Sequence, residues 1–128
     1  MGMNKFENYF YFVFRVFLGL LFLEHGAQKL FGWFGGSSVD LVSLMGLAGI
    51  IEFFGGLLIT LGLFTRITAV ITAIEMIVAY FIAHISNGLI PIVNQGELAL
   101  LYFASFLILI SYGSKKWGLD NLLHIKDT

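Results

Sequence analysis

Read from its amino end, the chain alternates long apolar runs with short polar joints. Residues 9–30, 39–64, 67–85 and 96–113 are dominated by Leu, Ile, Val, Phe, Ala and Gly. A helix crossing a bilayer core needs ~20 such residues, and within it every backbone polar group is satisfied internally. The pattern predicts an all-α, polytopic four-helix transmembrane bundle, one domain over 1–128. The joints read "FGGSSVD", "FTR" and "SNGLIPIVNQG", the last holding the only proline, Pro91. "FTR" is short enough to force spans two and three into an antiparallel hairpin. Span four is the shortest.

Composition sharpens this reading. The chain is 59% hydrophobic and 12% charged, with a mean hydropathy of +0.92, whereas soluble domains lie near ~45–50% and ~25%. The bilayer is therefore the first partner. A net charge of -1 with no basic run excludes a nucleic-acid footprint. The absence of cysteine excludes disulfides and thiolate chemistry. Only Lys5 precedes the first apolar run as a positive charge, and no A-x-A site follows. That run reads as a retained span rather than a signal peptide.

Four spans put both termini on one side. Lys5, Arg66, Lys115, Lys116 and Lys126 then share a face, with Lys29 alone opposite. The positive-inside rule makes both termini cytoplasmic. Trp33 and Trp117 fall near opposite interfaces. Gly46, Gly49, Gly55, Gly56 and Gly62, with Thr68, Thr72, Ala79 and Ala83, mark close helix contacts.

Ionisable residues within such spans are costly and mark function by default. Arg15, Glu52 and Glu75 fall at inner to middle depth, where a buried arginine among carboxylates predicts mutual neutralisation; Arg15 and Glu75 form the expected structural ion pair. Glu24, His25, Lys29, His84 and Glu97 fall nearer the outer face. His25 continues the inward stripe of Arg15, Leu18 and Phe22, so it is expected to face His84 and Glu97 across an outward polar cavity. Glu24, about 100° further round the helix, belongs at the cavity edge or a helix seam. Histidine titrates near neutral pH, which suits proton uptake in a redox or transport step. Read one at a time, these outer residues are equally explained as interfacial anchors whose charged ends reach water. No Glu-x-x-His di-iron motif is present, and no metal site is expected.

Together these residues carry a resemblance. "R-x-x-L-G-x-x-F-x-x-H-G-x-x-K" from Arg15 to Lys29, then "FGWFGG", "EFFGGLLITLGLFTR" from Glu52, a span ending in His84, "NQGELALLY" from Asn94 and "WGLD" from Trp117 resemble, in order, the DoxX family of membrane proteins. The resemblance implies a four-helix protein of the bacterial cytoplasmic membrane. Relatives are described as oxidoreductases: some form the membrane part of a thiosulfate:quinone oxidoreductase, others associate with superoxide dismutase and a sulfurtransferase. It carries over His25, Gly26, Lys29, Glu52, Gly56, Arg66, His84, Glu97 and Asp120. The stretch "YGSKKWGLD" departs from the family's usual Gly-Pro-Gly turn.

The resulting expectation is a membrane subunit of a quinone-linked redox system, with quinone as the candidate cofactor entering between helices. His25 and His84 would bind its carbonyls, Glu52 and Glu97 would relay protons, and Lys29 and Glu24 would bind substrate at the outer mouth. Electrons would come from a soluble redox partner protein or bound cofactor. A small-solute or proton transporter, lined by Arg15, Glu52 and Glu75 and needing a homo-oligomer, is the alternative. A membrane scaffold for soluble redox enzymes is the third reading.

Overall fold

The computed structural model describes residues 4–126 and is helical throughout its ordered elements. Helix α1 spans Glu7–Phe31, α2 Leu44–Leu61 and α3 Thr65–Ala79. Helix α3 continues through a π-helical turn, Tyr80–His84, and a 3-10 turn, Ile85–Asn87. A short α4 (Pro91–Asn94) leads into α5 (Glu97–Tyr112), and α6 (Leu119–Leu122) is the last helix among the described residues. Helices α1, α2 and the extended α3 are long and apolar enough to cross a membrane, and α5 is a shorter apolar helix. Only 33% of each long span is buried against the protein. The outward faces carry residues such as Phe17, Phe54, Ile74 and Leu101, each more than half exposed, which makes the bundle's exterior a lipid-facing surface.

The second helix is shorter than the apolar run that contains it. Ser43 caps its start by accepting from the Gly46 N–H at 3.0 Å, which leaves 39–43 outside. Gly62 ends it in the left-handed region (φ 67°), its N–H returning to the carbonyls of Leu58 and Ile59. Three residues later α3 begins, so the tight hairpin expected at "FTR" is made by residues 62–64, and Thr65 and Arg66 already belong to α3.

Glycine sets the tightest seam, between α1 and α2. A Cβ on Gly19 would lie 2.6 Å from the Thr60 nitrogen, and one on Gly56 would lie 2.5 Å from the Leu23 nitrogen. A Cβ on Gly26 would strike the Phe53 backbone. The seven-residue spacing Gly19/Gly26 meets the seven-residue spacing Gly49/Gly56, which lets two backbones touch where lipid offers no hydrophobic drive for helix association. Helix α3 packs chiefly on α5, and α1 meets α5 only lightly. The core lies between: Leu18, Phe22, Ile59, Ala69, Ala73, Met76, Tyr102, Phe106 and Leu109.

The fully buried Arg15 does not pair with Glu75, as the sequence led us to expect. Its guanidinium donates to the carbonyls of Ile59 (2.8 Å), Thr60 (2.7 Å) and Trp117 (3.1 Å). It thus caps the C-terminus of α2, where free carbonyls concentrate negative potential. Asp120 does the converse for α3, accepting from the N–H groups of Phe64 (2.7 Å) and Thr65 (2.9 Å). The two charges clamp the hairpin turn from opposite sides and tie the C-terminal segment beneath it. Depth explains the misplacement. Arg15 is level with Gly62, whose Cβ would lie 2.7 Å from its guanidinium. Helix α1 therefore starts about two turns below α3, and Glu75, ten residues into α3, stands ~15 Å higher.

Arg66, Lys115 and Lys116 line one cleft with Asn8 at this end of the bundle. Trp117 lies here too, its ring 5.1 Å from that of Tyr9, while Trp33 follows the other end of α1.

Candidate functional site

At the end opposite the Arg15–Asp120 clamp, four helices enclose a cavity of about 300 Å³. Helix α1 supplies Phe22, His25 and Lys29, the upper part of the inward stripe that begins at Arg15 and Leu18. Helix α2 supplies Glu52, one turn beyond Ala48 on the same face. Its carboxylate closes an ion pair of 2.5 Å with the Lys29 ammonium, and the Glu52 side chain is only 5% exposed. That pairing meets the requirement that a charge in hydrocarbon be neutralised or reach water.

Helix α3 contributes Glu75 and, through the π-helical turn, His84. Neither oxygen of the Glu75 carboxyl meets a hydrogen-bond donor, though both are buried. Glu52 and Lys29 line the same cavity. Glu52 is already engaged by Lys29, so the pair leaves the Glu75 carboxyl without a partner of its own. The Nδ1 of His84 lies 3.1 Å from the carbonyl of Asn94. A carbonyl can only accept, so Nδ1 carries the hydrogen, and whenever the ring is neutral Nε2 is its acceptor. A π-helical turn inserts one residue into the helix and re-aims the side chains beyond it, here at the point where α3 reaches the cavity.

The wall from α5 is mostly apolar. Leu98, Ala99 and Tyr102 line it, and the Tyr102 ring meets His25 edge-on at 5.7 Å. Beneath, Phe22 packs on Tyr102 at 5.2 Å and on Phe106 at 4.9 Å. These buried rings floor the cavity and separate it from Arg15.

Five of the predicted residues, His25, Lys29, Glu52, Glu75 and His84, therefore share one cavity. Glu97 and Glu24 do not line it. Glu97 is the exposed first residue of α5, and it is the next two residues, the half-exposed Leu98 and Ala99, that line the cavity. Glu24 is exposed on α1, about 100° round the helix from His25. Two residues escaped the sequence reading of roles, although both lie in the "NQGELALLY" stretch. Tyr102 is one, legible only as part of the α5 stripe Leu98–Tyr102–Phe106–Leu109. The other is Asn94, 1% exposed. Its amide donates to the Tyr80 hydroxyl (3.0 Å) and the Gly88 carbonyl (2.9 Å), and its oxygen accepts from the Gly96 N–H (2.8 Å). Asn94 thereby fixes the 85–96 connection and, through its own carbonyl, the His84 ring. Among the described residues no group of three His, Asp or Glu side chains converges as metal ligands would.

Comparison with known proteins points one way. The family model of DoxX matches residues 10–85. An uncharacterized protein of Haemophilus influenzae is 37% identical over 94% of this chain and 95% of its own. The inner membrane protein YqjF of Escherichia coli is 29% identical over 97% of this chain and 99% of its own. A Bacillus subtilis protein named "Putative oxidoreductase CatD" is 31% identical over 92% of this chain and 90% of its own. No solved structure matches.

Proposed function

This chain belongs to the DoxX family of membrane proteins, and on that footing we propose that it is the membrane subunit of a quinone-linked redox system, its outer polar cavity holding the quinone ring. One observation carries the reading: donors and acceptors line opposite walls of one partly apolar cavity. Lys29 and His25 on α1 can donate. The unmet Glu75 carboxyl and the Nε2 of His84 on α3 can accept. A quinone ring accepts hydrogen bonds when oxidised and donates them when reduced, and its reduction consumes two electrons and two protons. A cavity offering both kinds of partner suits either form. A volume near 300 Å³ lies at the small end of ligand sites, enough for a single substituted ring.

The chain's own residues would divide the work. His25, held edge-on to Tyr102, orients a carbonyl. Glu75 and His84 receive or return the ring's protons, and Lys29 engages Glu52 so that the site keeps one fixed pair. Asn94 positions His84. The aromatic floor of Phe22, Tyr102 and Phe106 bars a proton leak toward the other face. Electrons reach the ring from a soluble partner, since nothing in the sequence supplies a carrier. The same floor argues against the transporter reading, because Arg15 lies below it and Glu52 and Glu75 above. The end bearing Lys5, Arg66, Lys115 and Lys116 is the cytoplasmic one by the positive-inside rule, which opens the cavity toward the outer face.

The test is quinone retention. Protein purified in native lipid discs should yield quinone on organic extraction at near-equal molar ratio, and His25→Ala and His84→Ala should lose it while melting like the parent. Quinone content no higher in parent discs than in empty discs would overturn the proposal.

A further inference from the structure

Below the polar cavity, the light contact between α1 and α5 leaves a second hollow of about 310 Å³, open to the bilayer. Phe14, Phe17, Leu18 and Leu21 form one side, spaced by three and four residues along α1. Leu98, Leu101, Tyr102 and Ser105 form the other with the same spacing along α5. The groove thus follows both helices for about 10 Å. Its one aliphatic hydroxyl is already satisfied, Ser105 Oγ donating to the Leu101 carbonyl at 2.8 Å. The remaining side chains apart from Tyr102 are wholly apolar.

Leu98 and Tyr102 line both hollows. The Tyr102 ring is almost wholly buried (6% exposed) and stands between them, with Phe22 and His25 on its cavity side. We infer that the α1–α5 groove is the tail subsite of the cavity's ligand: an apolar alkyl or isoprenoid chain lies between Phe14–Leu21 and Leu98–Ser105 while its ring passes Tyr102 into the polar cavity. The inference rests on the quinone reading and narrows it to tailed, lipid-resident quinones rather than tail-less, water-soluble rings. The shared wall of Leu98 and Tyr102 decides the occupant. A groove that merely bound bulk acyl chains would have no need to share its upper wall with a cluster of histidines and carboxylates.

The experiment compares two probes, a dimethoxy-methyl-benzoquinone without a tail and the same ring carrying a decyl chain. Each is titrated against the parent and against Ser105→Phe in lipid discs of one composition, so that partitioning into lipid cancels between proteins. The ring alone should bind both proteins equally. The decyl form should bind Ser105→Phe about tenfold more weakly than the parent, as an overpacked contact would impose. An equal loss for both probes, or none for either, would show that the groove holds only bulk lipid, and the tail subsite falls while the ring site stands. If neither probe binds the parent, the quinone reading falls and takes the inference with it. Ser105→Leu gives the same comparison with less added volume should Ser105→Phe melt early.

Discussion

Lys29 and Glu52 meet at 2.5 Å across the α1–α2 seam, one turn from Gly49, whose Cβ would lie 3.0 Å from the Lys29 Cβ. The close approach that glycine permits is what brings a lysine on α1 within reach of a carboxylate on α2. Structure and site share one cause here. Breaking one partner of a buried pair leaves an uncompensated charge, at a cost of ~3–5 kcal/mol. Lys29→Met should therefore lower stability toward the upper part of that range, since it strands Glu52 beside Glu75. Adding Glu52→Leu should recover much of the loss. Unfolding in mixed micelles measures both, and a double variant no better than Lys29→Met would show that the pair is not what holds the seam.

Arg15 should behave as a separate unit. Arg15→Leu removes three hydrogen bonds from a charged donor, each worth ~1.5–3 kcal/mol and not additive, so a total loss of about 3 kcal/mol or more is expected. Because Trp117 is one of its partners, amide exchange should quicken across 114–125 before it does so elsewhere. Glu75→Gln should give no rescue in the Arg15→Leu background, and the two losses should add. Rescue by Glu75→Gln would restore the ion pair that the geometry replaces.

The glycine seam predicts a ranking. Gly26→Ala and Gly56→Ala place a methyl group against backbone of the neighbouring helix, whereas Gly55→Ala meets only the Thr72 methyl, at 2.9 Å. The first two should each cost well over ~1 kcal/mol and the third distinctly less. Thermal melts of the three variants in one detergent decide it, and a reversed order would mean that α1 and α2 are not in backbone contact.

How far the sequence foretold all this varies with the residue. The inward stripe of α1 was readable because Arg15, Leu18, Phe22, His25 and Lys29 recur at intervals of three and four, which is a property of one helix. The partner of Arg15 was not readable. Depth was counted from each helix's own start, and α1 starts below α3. The place of Glu97 has a related cause: the turn fixed by Asn94 and Gly96 sets the phase of α5, and that phase brings Leu98 and Ala99, not Glu97, to the cavity wall. The α5 stripe places Tyr102 on an inward face without revealing its contact with His25, and Asn94 acts through tertiary contacts that no spacing in the chain reveals.

Orientation is checked independently of ligand. With the cluster of Arg66, Lys115 and Lys116 in the cytoplasm, alkaline phosphatase fused to the C-terminus should be inactive in cells and green fluorescent protein at the same point should fluoresce. An active phosphatase fusion would invert the bundle and turn the cavity toward the cytoplasm.

The claim that the outer cavity seats a quinone ring is tested most directly by covalent mapping. A photoreactive azido-benzoquinone bearing a decyl tail would be irradiated with the protein in lipid discs, and the labelled peptides identified. Labels should fall on the cavity wall, on α1 around Phe22–Lys29 and on α3 or α5 around His84 and Tyr102, and excess unlabelled decyl quinone should suppress them. Labels spread over lipid-facing residues such as Phe54 and Ile74, undiminished by competitor, would contradict a quinone site in this cavity.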